Sequence, residues 1–283
     1  MSSSPAGWDL VLAAYTLDGA DLTERVEATA AAGFAGLSLR PPDIGRALAA
    51  GWTISGIAAL LDEHGLVVAD LDALARWAPH HWQHHGLLPA DHDFDTMEQN
   101  LWTAAAGLGA RSVNVVDMGG RPVPVADLAE GFARACDRAA EFGLLAHLEP
   151  LGGSAVPTIA VAAEVSRLAG RPNGGVILDT WHHFRSGGTP SDLAAVADQI
   201  LAVQINDAPA TAEPNMFAET MHRRLLPGEG DAEVAATLAE LHRLGVSVPI
   251  SVEVMSDRLR ALPPREAARL AAEAGRAVLP DPD

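Results

Sequence analysis

The feature that most constrains the fold is an alternation of short apolar runs with alanine-rich stretches, repeating about every 30 to 40 residues. The eight apolar runs, predicted as strands, are residues 9–15, 36–40, 66–71, 112–117, 144–150, 175–180, 200–206 and 249–254. The predicted helices lie near residues 22–32, 54–64, 94–108, 125–142, 158–169, 190–197, 231–244 and 264–278. Strands that are apolar throughout are typical of a parallel sheet covered by helices, so eight strand–helix units predict an α/β fold, the (β/α)8 or TIM barrel.

The whole chain, residues 1–283, is predicted to be a single barrel domain with a polar N-terminal tail at residues 1–7. Barrels of this length commonly form one domain, and no linker or low-complexity tract interrupts the pattern. The longest insertions, residues 72–92 and 207–228, both follow strands. Because the loops after the strands form the C-terminal mouth of a TIM barrel, we expect both insertions to lie over that mouth.

Charge and composition exclude several classes of function. The formal net charge of −18 disfavours binding to nucleic acid or to anionic lipid. No apolar run approaches the length of a membrane span, and the N-terminus lacks the pattern of a signal peptide, so we expect a cytoplasmic protein with a small-molecule partner. All the basic side chains other than histidine are arginines. The absence of lysine excludes lysine Schiff-base chemistry and a P-loop.

Four consecutive predicted strands, the fifth to the eighth, each end in a side chain with a metal-binding oxygen. These residues are Glu149 in HLEP, Asp179 in ILDT, Gln204 in VQIN and Glu253 in VEV. A lone carboxylate at a strand end is more often a helix cap or an ion-pair partner than a ligand. Neighbouring strands lie about 4.8 Å apart, however, so four such side chains in succession can converge on one ion. We therefore expect a metal site at the barrel mouth.

The same set, together with the motifs DTWH and RLLPGEG, resembles the xylose isomerase-like TIM barrels of the sugar phosphate isomerase/epimerase superfamily. The resemblance covers nearly the whole chain. It implies that Glu149, Asp179 and Glu253 bind a divalent metal, with Gln204 at the position where histidine is usual. It also implies that Glu149 and Glu253 form the catalytic acid/base pair. An all-oxygen ligand set favours Mn²⁺ or Mg²⁺ over Zn²⁺.

Two further residues take substrate-binding roles from this resemblance. His182, three residues after Asp179, matches the substrate-binding histidine of the family, and Arg224 in RLLPGEG is expected to contact a substrate oxygen. Arg223 beside it remains an alternative. His147, two residues before Glu149, is expected to lie beneath it inside the barrel.

The resemblance favours an isomerase or epimerase that removes a proton next to the carbonyl of a ketose or keto-polyol, through a metal-stabilised enediolate. The first alternative is a dehydratase of the 3-dehydroshikimate or inosose type. Family members with glutamine at the position of Gln204 include 3-dehydroshikimate dehydratases, although Leu151 stands where those enzymes carry a histidine. A catalytically silent barrel that serves as a partner subunit is the second alternative. A homo-oligomer is compatible with all three. The net charge and the single-metal ligand set argue against a DNA-repair endonuclease of the same fold.

Overall fold

A computed structural model describes residues 7–78, 93–119 and 122–280 of the chain. Its strands are β1 (Leu10–Leu12), β2 (Gly36–Leu39), β3 (Val67–Leu74), β4 (Ser112–Val116), β5 (Leu145–Glu149), β6 (Gly174–Asp179), β7 (Ile200–Ile205) and β8 (Ile250–Val252). They form a closed barrel in sequence order, and every pair is parallel, including the closing pair β1 and β8. The predicted (β/α)8 barrel is confirmed.

The helices of the described residues surround the barrel. They are α1 (Leu22–Ala31), α2 (Pro41–Ala49), α3 (Ile54–Glu63), α4 (Phe94–Ala105), α5 (Val125–Ala140), α6 (Ile159–Ala169), α7 (Thr180–Arg185), α8 (Met216–His222), α9 (Val234–Arg243), α10 (Asp257–Arg260) and α11 (Pro264–Val278). Their apolar faces pack against the outer faces of the strands in one continuous core. Specific residues fix some of the helix ends. Asp21 and Glu24 form a capping box at the start of α1, and Gly170 ends α6 with φ of 63°.

Strand register explains why polar residues far apart in sequence lie at one end of the barrel. Val116 of β4 lies opposite Glu149 of β5, and Asp179 of β6 lies opposite Gln204 of β7. Ser251, the partner of Gln204 on β8, comes two residues before Glu253. The carboxyl ends of β5 to β8 therefore share one rim, which is the expected position of a TIM-barrel active site.

Some predicted boundaries are wrong. β3 continues to Leu74, three residues past its predicted end, and the predicted helix at 190–197 consists of two short 3₁₀ segments. Helices α2 and α8 are absent from the prediction. Pro41 and Pro42 suggest a turn, but they occupy the start of α2, where a missing N–H costs nothing.

No single helix in the described part of the chain is both long enough and apolar enough to cross a membrane. Helices α2 and α3 satisfy that test only when joined, and they meet at an angle of 106°.

The turn of the RLLPGEG motif is held by a buried carboxylate at the end of β7. Asp207 accepts hydrogen bonds from the backbone N–H groups of Ala208, Gly228 and Ala232, at 2.8 to 2.9 Å. Gly228 has φ of 86°, which glycine adopts without strain. Both observations explain how this motif forms the turn toward α9.

Replacing Gly230 by alanine should destabilise the fold. A Cβ at this position would lie 2.4 Å from the carbonyl oxygen of Ala208 and 2.6 Å from Oδ1 of Asp207, so the backbone must shift. We expect the free energy of unfolding to fall by about 1 to 3 kcal/mol, as for other overpacked sites. Urea denaturation measures this change. Gly152→Ala is the control, because its Cβ would lie 3.5 Å from Met216, and equal stability of the two variants would contradict the account.

Candidate active site at the barrel mouth

The four strand-end residues predicted as ligands lie together at the carboxyl rim of the barrel. Glu149 and Asp179 are the last residues of β5 and β6, Gln204 precedes the last residue of β7, and Glu253 directly follows β8. All four are buried, with at most 5% of their surface exposed. Such burial is costly for carboxylates unless cations or hydrogen bonds compensate for it.

One group of side chains is arranged closely enough to bind a metal ion. Ligand atoms of Glu149, Asp179 and His182 all lie within 4.8 Å of one another. His182 Nε2 is 3.8 Å from Glu149 Oε1. The structure therefore places His182, which the sequence indicated as a substrate-binding residue, beside two of the predicted ligands.

Gln204 contributes an unpartnered oxygen to the same cluster. Its Nε2 donates to Glu253 Oε1 at 3.2 Å, whereas its Oε1 is buried and has no hydrogen-bond partner among the described residues. A buried carbonyl oxygen without a donor is costly, and a cation would satisfy it. This orphaned oxygen, together with the neighbouring carboxylates, fits a divalent ion with oxygen ligands.

Arg224 supplies positive charge inside the cluster. Its Nη1 donates to Asp179 Oδ2 at 2.8 Å and to Glu253 Oε2 at 3.1 Å, and the residue is 2% exposed. Arg223 points away from the barrel and forms a surface ion pair with Glu213. Of the two arginines left open by the sequence, Arg224 is the one at the site.

Asp179 is held in its ionised form by its surroundings. Burial alone would raise its pKa, but the Arg224 guanidinium and hydrogen bonds from the His182 N–H and the Asn206 amide hold that pKa below the usual range. The His182 N–H lies 2.8 Å from Oδ1 and Asn206 Nδ2 lies 2.8 Å from Oδ2. Asp179 thus caps the N-terminus of α7 and also faces the cluster.

The pKa values of Glu149 and Glu253 shift in the direction opposite to that of Asp179. Burial, reinforced by neighbouring carboxylates, raises the pKa of both groups well above the usual range of a glutamate. Arg224 and, for Glu149, the Asn114 amide partly oppose this rise. Buried carboxylates in this state bind either a proton or a cation, as catalytic acid/base groups and metal ligands do.

His182 is neutral at the site. Burial lowers its pKa to about 4. Its Nε2 lies 3.2 Å from Nη2 of Arg224, and because a guanidinium can only donate, this nitrogen must accept. The proton then resides on Nδ1, which is buried without a partner among the described residues.

The other polar residues of the DTWHHFR stretch have structural roles. Arg185 forms an ion pair with Glu219, a buried residue of α8 that also accepts from Trp181 Nε1 at 3.2 Å. His183 Nε2 lies 3.0 Å from the Thr189 carbonyl oxygen. The two Glu219 contacts attach α8 to α7, and Thr220 of α8 in turn accepts from Arg224 Nη2 at 2.8 Å.

A cavity of about 590 Å³ opens above the cluster. Its inner end is formed by Glu149, His182, Arg224 and Glu253, and its outer wall is largely apolar. Five of the six methionines in the chain line it: Met97, Met118, Met216, Met221 and Met255. Residues of the 207–228 insertion lie in its wall, as predicted. Residues 79–92 of the other insertion fall outside the described part of the chain.

A polar network inside the barrel was missed by the sequence analysis. Asn114 of β4 donates from Nδ2 to Asp72 Oδ1 at 3.0 Å and to Glu149 Oε2 at 2.5 Å. Below it, His147 contacts Asn114 Oδ1 and Ser112 Oγ at 3.3 and 3.1 Å, which confirms its predicted position beneath Glu149. The alternation of Asp70 and Asp72 in VVADLDAL was the available signal, because both residues face inward on one strand.

A closed parallel barrel with a cavity of small-molecule size and buried carboxylates at its mouth has the features of a TIM-barrel active site. This chain belongs to the xylose isomerase-like TIM barrel family, whose sequence model matches residues 26–278. The resemblance found in the sequence is thereby confirmed.

Curated relatives of the chain are named as dehydratases. The chain is 30% identical over 261 residues to a 3-dehydroshikimate dehydratase of Pseudomonas aeruginosa, covering 90% of the chain and 39% of that protein. A 3-dehydroshikimate dehydratase of Pseudomonas putida is 34% identical over 132 residues, which are 46% of the chain and 21% of that protein. The chain therefore spans less than half the length of either relative.

Among solved structures, the IolI protein with a bound zinc atom has the same fold. The TM-score is 0.81 at 20% identity, with 96% of this chain and 98% of that chain covered.

Proposed function

We propose that this protein is a divalent-metal-dependent dehydratase that removes one water from a cyclic hydroxy ketone of the 3-dehydroshikimate type. The observation that carries the proposal is the convergence of Glu149, Asp179, Gln204 and Glu253 beneath a cavity of small-molecule size. The names of the two curated relatives support water loss over the isomerisation that the sequence resemblance placed first.

The ion would be held by Glu149, Asp179, Gln204 and Glu253, with His182 within ligand distance. The zinc atom in the IolI structure, which has the same fold, supports the binding of a divalent ion by this chain. Oxygen-rich donors favour Mn²⁺ or Mg²⁺ in this chain. When bound, such an ion supplies Lewis-acid polarisation of a substrate carbonyl.

Glu149 and Glu253 are the acid/base pair of the proposed reaction. They stand on β5 and just after β8, so they flank the inner end of the cavity. A carboxylate there removes the proton from the carbon between the ketone and the hydroxyl that leaves. Arg224 is a substrate-side donor and His182 lies beside it, because both residues line the cavity.

The wall formed by β2 and α2 favours a substrate that carries a carboxylate. Arg40 and Arg46 line the cavity on this side, and the Arg40 guanidinium lies 4.4 Å from the centre of the Tyr15 ring. Asp43 binds both arginines and fixes their positions. 3-Dehydroshikimate has a carboxylate opposite its hydroxyl groups, and a planar guanidinium matches such a group.

An isomerase or epimerase is the second candidate, favoured by one observation. Leu151 lines the cavity wall two residues after Glu149, at the position of the histidine expected in the dehydratases, and an apolar side chain there cannot transfer a proton. Both reactions begin with removal of the same α-proton, so the carboxylate pair serves either one.

The test is to incubate the purified protein and Mn²⁺ with 3-dehydroshikimate and, separately, with a panel of ketoses and keto-inositols. We expect an aromatic product lighter by one water, followed by ultraviolet absorbance and mass spectrometry. Conservation of mass with a ketose or keto-inositol would replace the dehydratase by an isomerase. No turnover of any compound would favour a silent partner subunit.

Replacing Gln204 by histidine tests its place among the ligands. Imidazole is a better ligand for Zn²⁺ and Co²⁺ than an amide oxygen, so the variant should still bind metal but prefer these ions by about tenfold more than the wild type. Titration calorimetry with Mn²⁺ and Zn²⁺ measures the preference. An unchanged ranking of metals would place Gln204 outside the ligand set.

A further inference from the structure

Loss of water from a hydroxy ketone needs two proton transfers at different places. A base removes the α-proton, and an acid protonates the hydroxyl as its C–O bond breaks, because hydroxide is a poor leaving group. The carboxylate pair Glu149 and Glu253 supplies the base. Leu151 leaves the acid unassigned, so another proton donor must face the cavity.

Asp72 is a carboxyl group of the cavity that belongs neither to the proposed ligands nor to the acid/base pair. It lies on β3, is 5% exposed, and lines the same cavity as Glu149 and Glu253. Its Oδ1 accepts from Asn114 Nδ2 at 3.0 Å. Its Oδ2 has no hydrogen-bond partner in the described part of the chain and is not enclosed by protein atoms, so it faces the cavity.

Asn114 fixes the distance between Asp72 and Glu149. The same Nδ2 donates to Glu149 Oε2 at 2.5 Å, so one amide group joins the two carboxyl groups. The Asn114 carbonyl faces Nδ1 of His147, which is neutral because burial lowers its pKa to about 3. The two N–H bonds of the Asn114 amide are directed at the two carboxyl groups.

The surroundings of Asp72 favour the protonated form. Burial raises its pKa and Asp43 adds to the rise, while the Asn114 amide and the Arg40 and Arg224 guanidinium groups oppose it. In a protonated Asp72, Oδ1 accepts from Asn114 and the Oδ2 hydroxyl projects into the cavity. This is the geometry of a carboxylic acid that donates a proton to a bound substrate.

Three other titratable groups of the cavity suit the role less well. His182 has a pKa of about 4 and carries no second proton to give at neutral pH. Burial raises the pKa of Tyr15 beyond its usual value, which makes it a weaker acid. Asp117 lines the cavity too, but its Oδ1 and Oδ2 accept from the backbone N–H groups of Gly119 and Ala155.

We propose that Asp72 is the catalytic acid that protonates the departing hydroxyl, in the position left without a histidine by Leu151. The inference rests on the proposed dehydratase function. The glutamate takes the α-proton, the C–H electron pair forms the new C=C bond, and the C–O bond breaks toward oxygen. The Oδ2 proton of Asp72 joins that oxygen to form water. The proton on the glutamate returns through solvent to Asp72, so the cycle closes without an oxidant or a reductant.

The test compares Asp72→Asn with Asp70→Asn in two assays. Asp70 is the matched control, because it is a buried carboxylate on the same strand that does not line the cavity. We expect Asp72→Asn to lower the rate of water loss by about 10²- to 10⁴-fold, the range of a general acid. Exchange of the substrate α-proton in D₂O should persist in Asp72→Asn within about threefold of the wild type, since the glutamates perform it. Asp70→Asn should retain both rates.

A second readout separates loss of the proton donor from other effects of the substitution. With a substrate analogue whose leaving hydroxyl is replaced by fluoride, no proton is needed for departure, so the rate ratio of wild type to Asp72→Asn should fall toward one. If Asp72→Asn does not fold, Asp72→Ser replaces it in both assays.

Three outcomes would overturn the role of Asp72: undiminished water loss in Asp72→Asn, equal loss of exchange and elimination, or an unchanged rate ratio with the fluoride analogue. Failure of the proposed function is distinguishable, because the wild type itself would then release no water from the substrate.

Discussion

Glu253→Gln and Glu149→Gln are each expected to lower kcat by about 10³- to 10⁴-fold while leaving the fold intact. Glutamine has nearly the same shape but cannot take a proton, and general acid/base groups contribute about 10² to 10⁴ to rate. Loss of a charged ligand adds to this effect. Arg224 keeps Asp179 as an ion-pair partner in Glu253→Gln, so the change does not leave a buried cation alone.

The matched control is Glu273→Gln on the outer face of α11, where the carboxylate forms an exposed ion pair with Arg269. Steady-state kinetics of the three variants give the comparison, and thermal unfolding verifies folding. A Glu253→Gln enzyme as fast as the wild type would remove the proton-transfer role of this residue.

Removal of divalent ions should abolish activity entirely, to below about one thousandth of the loaded rate, because the polarised carbonyl is what makes the α-proton acidic. Mn²⁺ or Mg²⁺ should restore activity better than Zn²⁺, since the donors around Gln204 Oε1 are mostly oxygens. Elemental analysis of the dialysed protein verifies removal of the metal, and the chelator presaturated with Mn²⁺ is the control. Full activity in protein shown to be free of metal would contradict the account.

The barrel and the main residues of the site could be predicted because they follow from periodicity. Strand ends recur once per strand–helix unit, and the carboxyl ends of parallel strands in a closed barrel form one rim, so Glu149, Asp179 and Gln204 lie together there. The choice of Arg224 over Arg223 could not be derived, because both are arginines next to one turn. In the structure, Arg223 forms a surface ion pair with Glu213, which leaves Arg224 as the arginine at the site.

Asp72 was missed because the apolar pattern stops at residue 71. The strand continues through Asp72 since Asn114 lies opposite it on β4 and its carboxyl group receives the Asn114 amide. Helix α7 is absent from the prediction because TWHHFR is too short to show an apolar periodicity. Its start is fixed instead by Asp179, whose side chain caps it.

The identity of the ligands could not decide between isomerisation and dehydration. Isomerisation and dehydration share the removal of an α-proton, so both need the same carboxylate pair at Glu149 and Glu253. The fate of the resulting anion depends on which donor faces the neighbouring hydroxyl, and that donor is a matter of tertiary packing around Leu151 and Asp72. The names of the two curated relatives support dehydration.

The central claim is that one site removes the α-proton and then expels water. The most direct measurement is the mass spectrum of the product formed from the proposed substrate labelled with deuterium at the carbon between the ketone and the leaving hydroxyl. The account predicts a product that has lost both the deuterium and one water, formed more slowly than from unlabelled substrate. A product of unchanged mass, or water loss with no isotope effect on the rate in both wild type and Glu253→Gln, would contradict it.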